Sequence, residues 1–430
     1  MSETSDAYAH LIDLRRDLHR HPEPAWLEFY TTARIVEEIE RIGVDELFVG
    51  REVLGRERSS VPDDEELARW FELAADSGAD EATLARIEGG YTGAVAVLNK
   101  GDGPTVGLRV DIDALPREES DDAEHAPAAE GFRSTTGAMH ACGHDAHATM
   151  GIGVLEALAD SDFSGTLKVF FQPAEEVIAG GGPLAESGHL DDLDYLLAVH
   201  VGLDHPTGEV VAAVDGFLAV SHFGATFEGE PAHAGGNPSK GKNAIQAAAT
   251  AVQNLYAIPR HEDGATRVNA GVIRGGTASN IIAEEAVIEG EVRGETTELM
   301  EYMRERAEGV LESAAEMHLC SVEVEAEGYA PSAESDEELG AIVAEVARDV
   351  GGVDSVLDRD ELGGSEDATF LMRRVQENGG LACYVGVGTD HPGGHHTATF
   401  DVDEESIRIG VEVLAGAIRE IARQRPQAGA

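Results

Sequence analysis

The sequence is poor in lysine, although it is rich in charge of the opposite sign. Only four of its 31 basic residues are lysines, and 82 acidic residues give a formal net charge of −51. Such a charge repels polyanions, which excludes nucleic acid and an anionic membrane surface as partners. The acidic residues are spread along the whole chain, and this pattern predicts a halophilic protein, because high salt screens the self-repulsion of its surface.

Cysteine is also scarce, and long apolar runs are absent. Cys142, Cys320 and Cys383 are too few and too scattered for a disulfide framework, which predicts a reducing compartment. No stretch approaches 18 apolar residues, and the N-terminal residues lack the apolar core of a signal peptide. We therefore expect a cytoplasmic protein that does not cross a membrane. Its 430 residues, 42% of them hydrophobic, are enough for two or three domains.

What the sequence does contain is a dense cluster of metal-binding side chains, HACGHDAH at residues 140–147. The glycine between Cys142 and His144 allows a tight turn, so that a thiolate and an imidazole can converge on one ion. The alternative is the N-terminus of a helix that happens to carry polar residues, with Asp145 in its first turn. Because further carboxylates and histidines occur downstream, the pattern favours a metal site.

Acidic and imidazole side chains also stand at the ends of three predicted buried strands. In chain order these groups are Asp111 and Asp113, Glu175 and Glu176, and His200. The carboxyl ends of parallel strands meet at one edge of a sheet, so we expect the groups to share a site there. The alternative for the two aspartates is that they only cap the turn after their strand. The motif GGHH after the last predicted strand brings His396 to the same edge.

These groups include a mixed set of sulfur, nitrogen and oxygen ligands, namely Cys142, His144, Glu176, His200 and His396. Five ligands exceed the four of a tetrahedral structural site. Two divalent ions about 3.5 to 4 Å apart would use all five with one ligand shared. Glu175, which precedes the ligand Glu176, is then the natural general base and the later proton donor to a leaving amine. A thiolate suits zinc, cobalt or nickel.

The order of predicted elements changes at about residue 216. Residues 216–330 read as strand, helix, two strands, helix and strand, which is a ferredoxin-like split βαβ unit. An α/β pattern occupies the sequence on both sides. We therefore predict a discontinuous catalytic domain of residues 1–215 and 331–430, interrupted by an α+β domain. A helical hairpin without catalytic residues is predicted within residues 50–90.

Six motifs together resemble the peptidase M20 family of metal-dependent amidohydrolases over nearly the whole chain. They are HACGHDAH, FFQPAEE, AVHVG, AHAGGNP, GSEDAT and GHHTATFDVDE, in that order. Residues 50–90 are most similar to the subgroup of this family that acts on p-aminobenzoyl-glutamate. The resemblance implies an α/β catalytic domain, built as a mixed sheet with helices on both faces. It also implies that the inserted ferredoxin-like domain serves as a lid and dimerisation domain.

The resemblance extends to residues whose roles the spacing alone does not give. Asp113 matches the aspartate that orients a metal-bound histidine. His233 is similar to a histidine that polarises the scissile carbonyl in a neighbouring subunit's site. Asn280 and Arg293 resemble groups that hold the substrate carboxylate, a task that suits the planar guanidinium. The subgroup implies manganese as the metal, and either a homodimer or a hetero-oligomer with a paralogous subunit.

The implied reaction is hydrolysis of the amide bond of an N-acyl amino acid, with p-aminobenzoyl-glutamate as the first candidate substrate. Two alternatives within the same chemistry are a general aminoacylase and a dipeptide carboxypeptidase. A third alternative is a subunit that binds metal but turns over substrate only with a paralogous partner. The intact ligand set and Glu175 argue against a dead scaffold.

Overall fold

A computed structural model describes residues 8–391 and 393–424. Its helices are α1 (Ala9–Arg20), α2 (Phe29–Ile42), α3 (Asp64–Asp76), α4 (Glu81–Arg86), α5 (Ala126–Glu130), α6 (His144–Ala159), α7 (Gly181–Ala185), α8 (Ala244–Leu255), α9 (Thr297–Met317), α10 (Glu337–Asp349), α11 (Ala368–Glu377) and α12 (Glu405–Gln424). None of these described helices is long and apolar enough to cross a bilayer. Residues 1–7 and 425–430 of the predicted catalytic domain lie outside the described residues.

The strands alternate with these helices through most of the chain. They are β1 (Glu46–Val49), β2 (Ala94–Asn99), β3 (Thr105–Asp111), β4 (Thr166–Gln172), β5 (Tyr195–Val201), β6 (Glu209–Val211), β7 (Val214–Asp215), β8 (Ala219–Glu228), β9 (Ala232–His233), β10 (Thr266–Gly275), β11 (Ile281–Ile282), β12 (Glu285–Gly294), β13 (Ser321–Ala330), β14 (Ser355–Leu357), β15 (Asp360–Glu361) and β16 (Leu381–Val387).

Residue contacts divide the described chain into two compact units. The first unit extends to Asp215 and resumes over Ala333–Leu362 and from Asp367 onward. The second unit comprises Gly216–Ser332 and Gly363–Glu366. The two units differ in the strand order and direction of their sheets.

The first unit is built on an eight-stranded mixed sheet with the order β1-β2-β4-β3-β5-β16-β6-β14. Its centre, β4, β3, β5 and β16, is parallel, whereas β2 and β6 join it in the antiparallel direction. The central strands are buried along nearly their whole length, as strands covered by helices on both faces must be. The carboxyl ends of four parallel strands therefore lie side by side along one edge.

Helix α6 lies in the middle of the first unit. It is buried on nearly all sides and packs against β3 and against α1, α2 and α12. Its start is set by Gly143, which has a positive φ of 86°. A Cβ at that glycine would lie 2.4 Å from Val201 Cγ2, so the close approach of the turn to β5 requires glycine.

The second unit contains a four-stranded antiparallel sheet with the order β10-β12-β8-β13. Helices α8 and α9 pack together and contact this sheet, and their alanine and methionine side chains form a separate apolar core. In chain order the elements are strand, helix, two strands, helix and strand, with the small ribbon β9 and β11 added. The predicted α/β class, with a mixed sheet and an inserted ferredoxin-like α+β unit, is confirmed.

Local features set the bounds of several elements. Helix α6 begins at His144, because Gly143 turns the chain directly into it. Helix α8 begins at Ala244, since the Asn243 side chain caps it by accepting from the Gln246 amide. Strand β5 continues through Val201. His200 thus lies within β5.

Candidate metal centre

Four neighbouring parallel strands and the start of α6 bring the predicted groups to one edge of the sheet. Asp111 ends β3, Glu175 and Glu176 follow β4, His200 is the penultimate residue of β5, and His396 lies in the loop after β16. Cys142 and His144 enter at the N-terminus of α6.

The ligand atoms form two groups that share one cysteine. Cys142, His144 and His200 each place a ligand atom within 4.8 Å of the others, and all three residues are buried. Cys142, Glu176 and His396 form a second such group. A thiolate within reach of an all-imidazole set and of a mixed carboxylate and imidazole set fits two neighbouring divalent ions.

The hydrogen-bond partners of two histidines leave the correct ring nitrogen available for a metal. His200 Nδ1 lies 2.7 Å from the Val201 carbonyl oxygen, so Nδ1 carries the hydrogen. Nε2 then has no hydrogen, and its lone pair is available to a metal ion. His144 Nδ1 lies 3.3 Å from Asp113 Oδ1. Within the described residues, His144 Nε2 is buried and has no hydrogen-bond partner. An orphaned imidazole nitrogen beside a thiol fits a metal ion.

The protonation tendencies of the site also favour a bound cation. Burial, followed by the Glu176 charge, raises the pKa of the Cys142 thiol to about 12. The thiol therefore needs a nearby cation in order to ionise at neutral pH. Burial, followed by the His147 and His395 rings, holds the pKa of His200 well below 6.5, which keeps that imidazole neutral and able to ligate.

Asp113 touches both sides of the ligand set. While its Oδ1 receives the His144 hydrogen bond, its Oδ2 accepts the Glu176 amide hydrogen at 3.0 Å. One buried carboxylate therefore fixes the ring orientation of a histidine and the backbone of a glutamate. Asp113 therefore does more than cap the turn after its strand, because its carboxylate bonds to both His144 and Glu176.

Behind this layer lies a buried network that the sequence did not reveal. Asp111 is 2.5 Å from His147 Nδ1 and 2.6 Å from Arg109, and it is fully buried. His147 Nε2 accepts the Val201 amide hydrogen at 2.8 Å. Both nitrogens of His147 are thus engaged by the protein, so this third imidazole of HACGHDAH supports β5 rather than offering a lone pair.

Glu28 is a second residue whose role the sequence analysis did not predict. It is fully buried at the start of α2. Its Oε1 accepts the Ala174 amide hydrogen at 2.8 Å, and its Oε2 accepts the Thr92 hydroxyl at 2.6 Å. Ala174 has a positive φ of 56°, an unfavourable conformation for a residue with a Cβ. Glu28 therefore holds a strained peptide directly before Glu175.

We expect Glu28→Ala to lower kcat about 10-fold or more per folded molecule, because misplacing a reacting group by about 1 Å can cost 10²-fold. Glu23→Ala is the matched control. Glu23 is equally buried and accepts the amide hydrogens of Tyr30 and Thr31 at the same helix end, but these bonds do not involve Ala174. Steady-state kinetics measures the loss of activity in both variants, and urea unfolding measures their loss of stability. Equal kcat losses in both would contradict a positioning role for Glu28.

Glu175 itself lies in the buried rim of the site. Its side chain is 8% exposed. One of its oxygens lies within 4.8 Å of ligand atoms of His144 and Glu176. A carboxylate beside the ligand set, with access to solvent, can accept a proton from water and release it to another atom.

The remaining predicted residues belong to the second unit. His233 and Asn280 are both exposed and are joined by the β9 and β11 ribbon, where the Ala234 amide donates to the Asn280 carbonyl. His233 Nδ1 accepts from the amides of Gly235 and Gly236, which leaves Nε2 as the N–H of the neutral ring.

Arg293 has a strong partner inside the second unit. Its Nε and a terminal nitrogen donate to the two oxygens of Glu291, at 3.0 and 2.9 Å. The hydrogen bond from His222 lowers the pKa of Glu291, burial raises it, and Arg293 lowers it again. The net result is a pKa of about 2. Any carboxylate that binds Arg293 through its planar fork must therefore compete with Glu291.

The chain matches a protein-family model over most of its length. The model described as peptidase family M20/M25/M40 matches residues 107–420. Among curated proteins, an indole-3-acetyl-aspartic acid hydrolase of Enterobacter agglomerans is 43% identical, over 93% of each chain. One of the subunits of the p-aminobenzoyl-glutamate hydrolase of Escherichia coli K12 is 41% identical, also over 93% of each chain.

Solved structures give the same result for the fold. An aminobenzoyl-glutamate utilization protein from Klebsiella pneumoniae is 37% identical, with a TM-score of 0.85 and coverage of 99% of both chains. The YXEP protein of Bacillus subtilis, described as a dinuclear metal-binding peptidase of the M20 family, has a TM-score of 0.69 at 24% identity. It covers 97% of this chain and 99% of its own.

Proposed function

The chain belongs to peptidase family M20/M25/M40 and is an amidohydrolase that cleaves N-acyl amino acids, and from this premise we propose that its substrate is p-aminobenzoyl-glutamate. The similarity to two proteins named for this substrate, over nearly the full length of each, supports the proposal. The indole-3-acetyl-aspartic acid hydrolase is 43% identical, against 41% and 37% for those two proteins, so indole-3-acetyl-aspartate is the second candidate. Both are aromatic acyl groups on an acidic amino acid.

We propose that five residues hold two divalent ions, namely Cys142, His144, Glu176, His200 and His396. Two groups of ligand atoms that share Cys142, one of them fully buried and the other reaching the exposed His396, support this assignment. When bound, such ions supply Lewis-acid activation of water and of the amide carbonyl. Manganese and zinc are the first candidates, with cobalt or nickel as further possibilities, since the set combines thiolate, imidazole and carboxylate.

Glu175 is the proposed general base. Its carboxylate takes one proton from the attacking water as the new carbon–oxygen bond forms. It then delivers that proton to the amide nitrogen as the carbon–nitrogen bond breaks, which yields a free acid and the amine of the amino acid. The observation that carries this proposal is the placement of Glu175, nearly buried and beside His144 and Glu176.

His233, Asn280 and Arg293 are the proposed substrate-binding residues of the second unit. The exposed Nε2–H of His233 is suited to donate to a carbonyl oxygen. Arg293 would hold a carboxylate by sharing or exchanging its partner Glu291. A homodimer, or a hetero-oligomer with a paralogous subunit, is part of the same proposal.

The test is to load the purified chain with manganese or with zinc in high salt and to measure release of p-aminobenzoate from p-aminobenzoyl-glutamate. A panel that keeps glutamate and varies the acyl group separates this substrate from a general aminoacylase activity. Indole-3-acetyl-aspartate and a dipeptide complete the panel. We expect kcat/KM to be highest for p-aminobenzoyl-glutamate.

A preference for another member of the panel would overturn the substrate. Repeating the assay with a co-expressed paralogue, where the genome encodes one, tests the alternative that this chain works only in a hetero-oligomer. Activity that appears only with that partner would assign the chain to a supporting role in the larger enzyme.

A further inference from the structure

His395 precedes the proposed ligand His396 and has a different environment. Its ring packs between the rings of His391 and His200, with centroid distances of 5.0 and 5.4 Å, and it also contacts Phe400 at 4.8 Å. Its Nδ1 lies 3.5 Å from Cys142 Sγ, whereas its Nε2 lies 3.1 Å from the Leu203 amide nitrogen. Both ring nitrogens therefore have a definite neighbour.

The Leu203 amide determines which nitrogen of His395 carries the hydrogen. A backbone N–H can only donate, so the Nε2 that accepts from it must be bare. In the neutral ring the hydrogen is then on Nδ1, which faces the sulfur of Cys142. His200 has the opposite arrangement, because its Nδ1 donates to the Val201 carbonyl and its Nε2 is bare. The two histidines beside Cys142 are thus opposite tautomers: His395 turns an N–H toward the sulfur, and His200 turns a lone pair toward it.

The backbone around the His395 ring is built to receive it. A Cβ at Gly202 would lie 2.5 Å from His395 Nε2, so a side chain there would collide with the ring. The next residue, Leu203, has a positive φ of 53°, an unfavourable conformation that accompanies the approach of its amide to the ring. Glycine at one position and strain at the next are consistent with a specific seat for this imidazole.

We propose that His395 is a positioning residue that donates its Nδ1–H to the Cys142 sulfur and thereby restrains the thiolate that holds the metal ions. This inference rests on the proposed ligand role of Cys142. A hydrogen bond to a ligating sulfur fixes its direction and withdraws electron density from it, as partners of metal ligands generally do. His395 does not itself coordinate a metal, because its Nδ1 lone pair is occupied by hydrogen.

The experiment uses the full chain loaded with Co²⁺, whose absorption includes a sulfur-to-cobalt charge-transfer band when a thiolate is bound. Three variants are compared with the wild type. His395→Phe keeps a ring but removes the donor, while His395→Asn places an amide N–H near the former Nδ1. His391→Phe is the matched control, since His391 packs on His395 and Phe400 and its Nδ1 has no hydrogen-bond partner among the described residues. Cobalt content and affinity are measured for each.

In His395→Phe we expect two ions per chain and a charge-transfer band at longer wavelength. We also expect roughly a 10-fold loss of cobalt affinity, which is the lower end of the range for substitution of a residue that supports a metal ligand. His395→Asn should restore the band toward its wild-type position, and His391→Phe should leave it unchanged. A His395→Phe band at the wild-type wavelength would overturn the inference. Loss of one ion would overturn it too, because His395 would then be a ligand. Absence of the band from the wild type would instead reject the proposed role of Cys142.

Discussion

Glu175→Gln should lower kcat for amide hydrolysis by about 10²- to 10⁴-fold, the usual contribution of a general acid or base. The amide has nearly the size of the carboxylate, but it can neither accept the proton of the attacking water nor return it to the leaving nitrogen. Because Glu175 is not among the proposed ligands, two metal ions per chain should remain. Steady-state release of p-aminobenzoate and metal analysis of the same samples measure both quantities.

The matched control for this variant is Glu186→Gln. Glu186 follows in the same connection after β4, but its side chain is exposed and pairs with Arg56 at the surface. We expect it to leave kcat unchanged. If Glu175→Gln retained wild-type kcat with a full complement of metal, the base would have to be another group.

The side chains that meet in the candidate metal centre could be predicted from the sequence because their chemistry is concentrated in short motifs. HACGHDAH combines a thiol with imidazoles around a glycine, and the strand ends before Glu175 and at His200 are marked by apolar runs. Since parallel strands end at a common edge, these local patterns were enough to predict which side chains meet. The fold class followed from the same alternation of strands and helices.

The supporting residues could not be predicted, because their partners are far away in the sequence. Glu28 bonds to Ala174, 146 positions later, and neither residue stands in a motif that indicates the contact. His395 and His396 are adjacent and identical in type, and their different neighbours, the Leu203 amide for His395 and Glu176 for His396, come from distant parts of the chain. The pairing of Arg293 with Glu291 is the exception, because side chains two positions apart on a strand share a face.

His19 has a structural role and is buried rather than placed at the surface. It lies beside HPEP, where prolines and arginines predict a surface or structural position. The structure buries it completely, with Nδ1 2.7 Å from Asp145 and Nε2 3.0 Å from Glu119. Burial opposes its protonation, but Asp145 and Glu119 outweigh this effect and raise the pKa of His19 to about 9.

Asp145→Asn should lower the free energy of unfolding by about 3 to 5 kcal/mol, the range for removing one partner of a buried ion pair. Asp145 Oδ2 is 2.9 Å from Arg15 Nε and also accepts the His19 hydrogen bond, and all three side chains are fully buried. Without the carboxylate the Arg15 guanidinium keeps Asp401, at 2.5 Å, and the more distant Glu404, at 3.9 Å, as acidic partners. Urea unfolding of wild type and variant at equal salt measures the difference.

Salt and pH distinguish this buried network from the charged surface. Asp358→Asn, which removes an exposed pair with Arg348, should leave stability nearly unchanged in high salt, whereas the effect of Asp145→Asn should persist. Because the folded-state pKa of His19 is raised from 6.5 to about 9, its contribution is present below pH 6.5 and is lost as the pH rises through 9. That decline should shrink in Asp145→Asn. A variant as stable as the wild type, with an unchanged pH profile, would show that Asp145 does not hold these two cations in place.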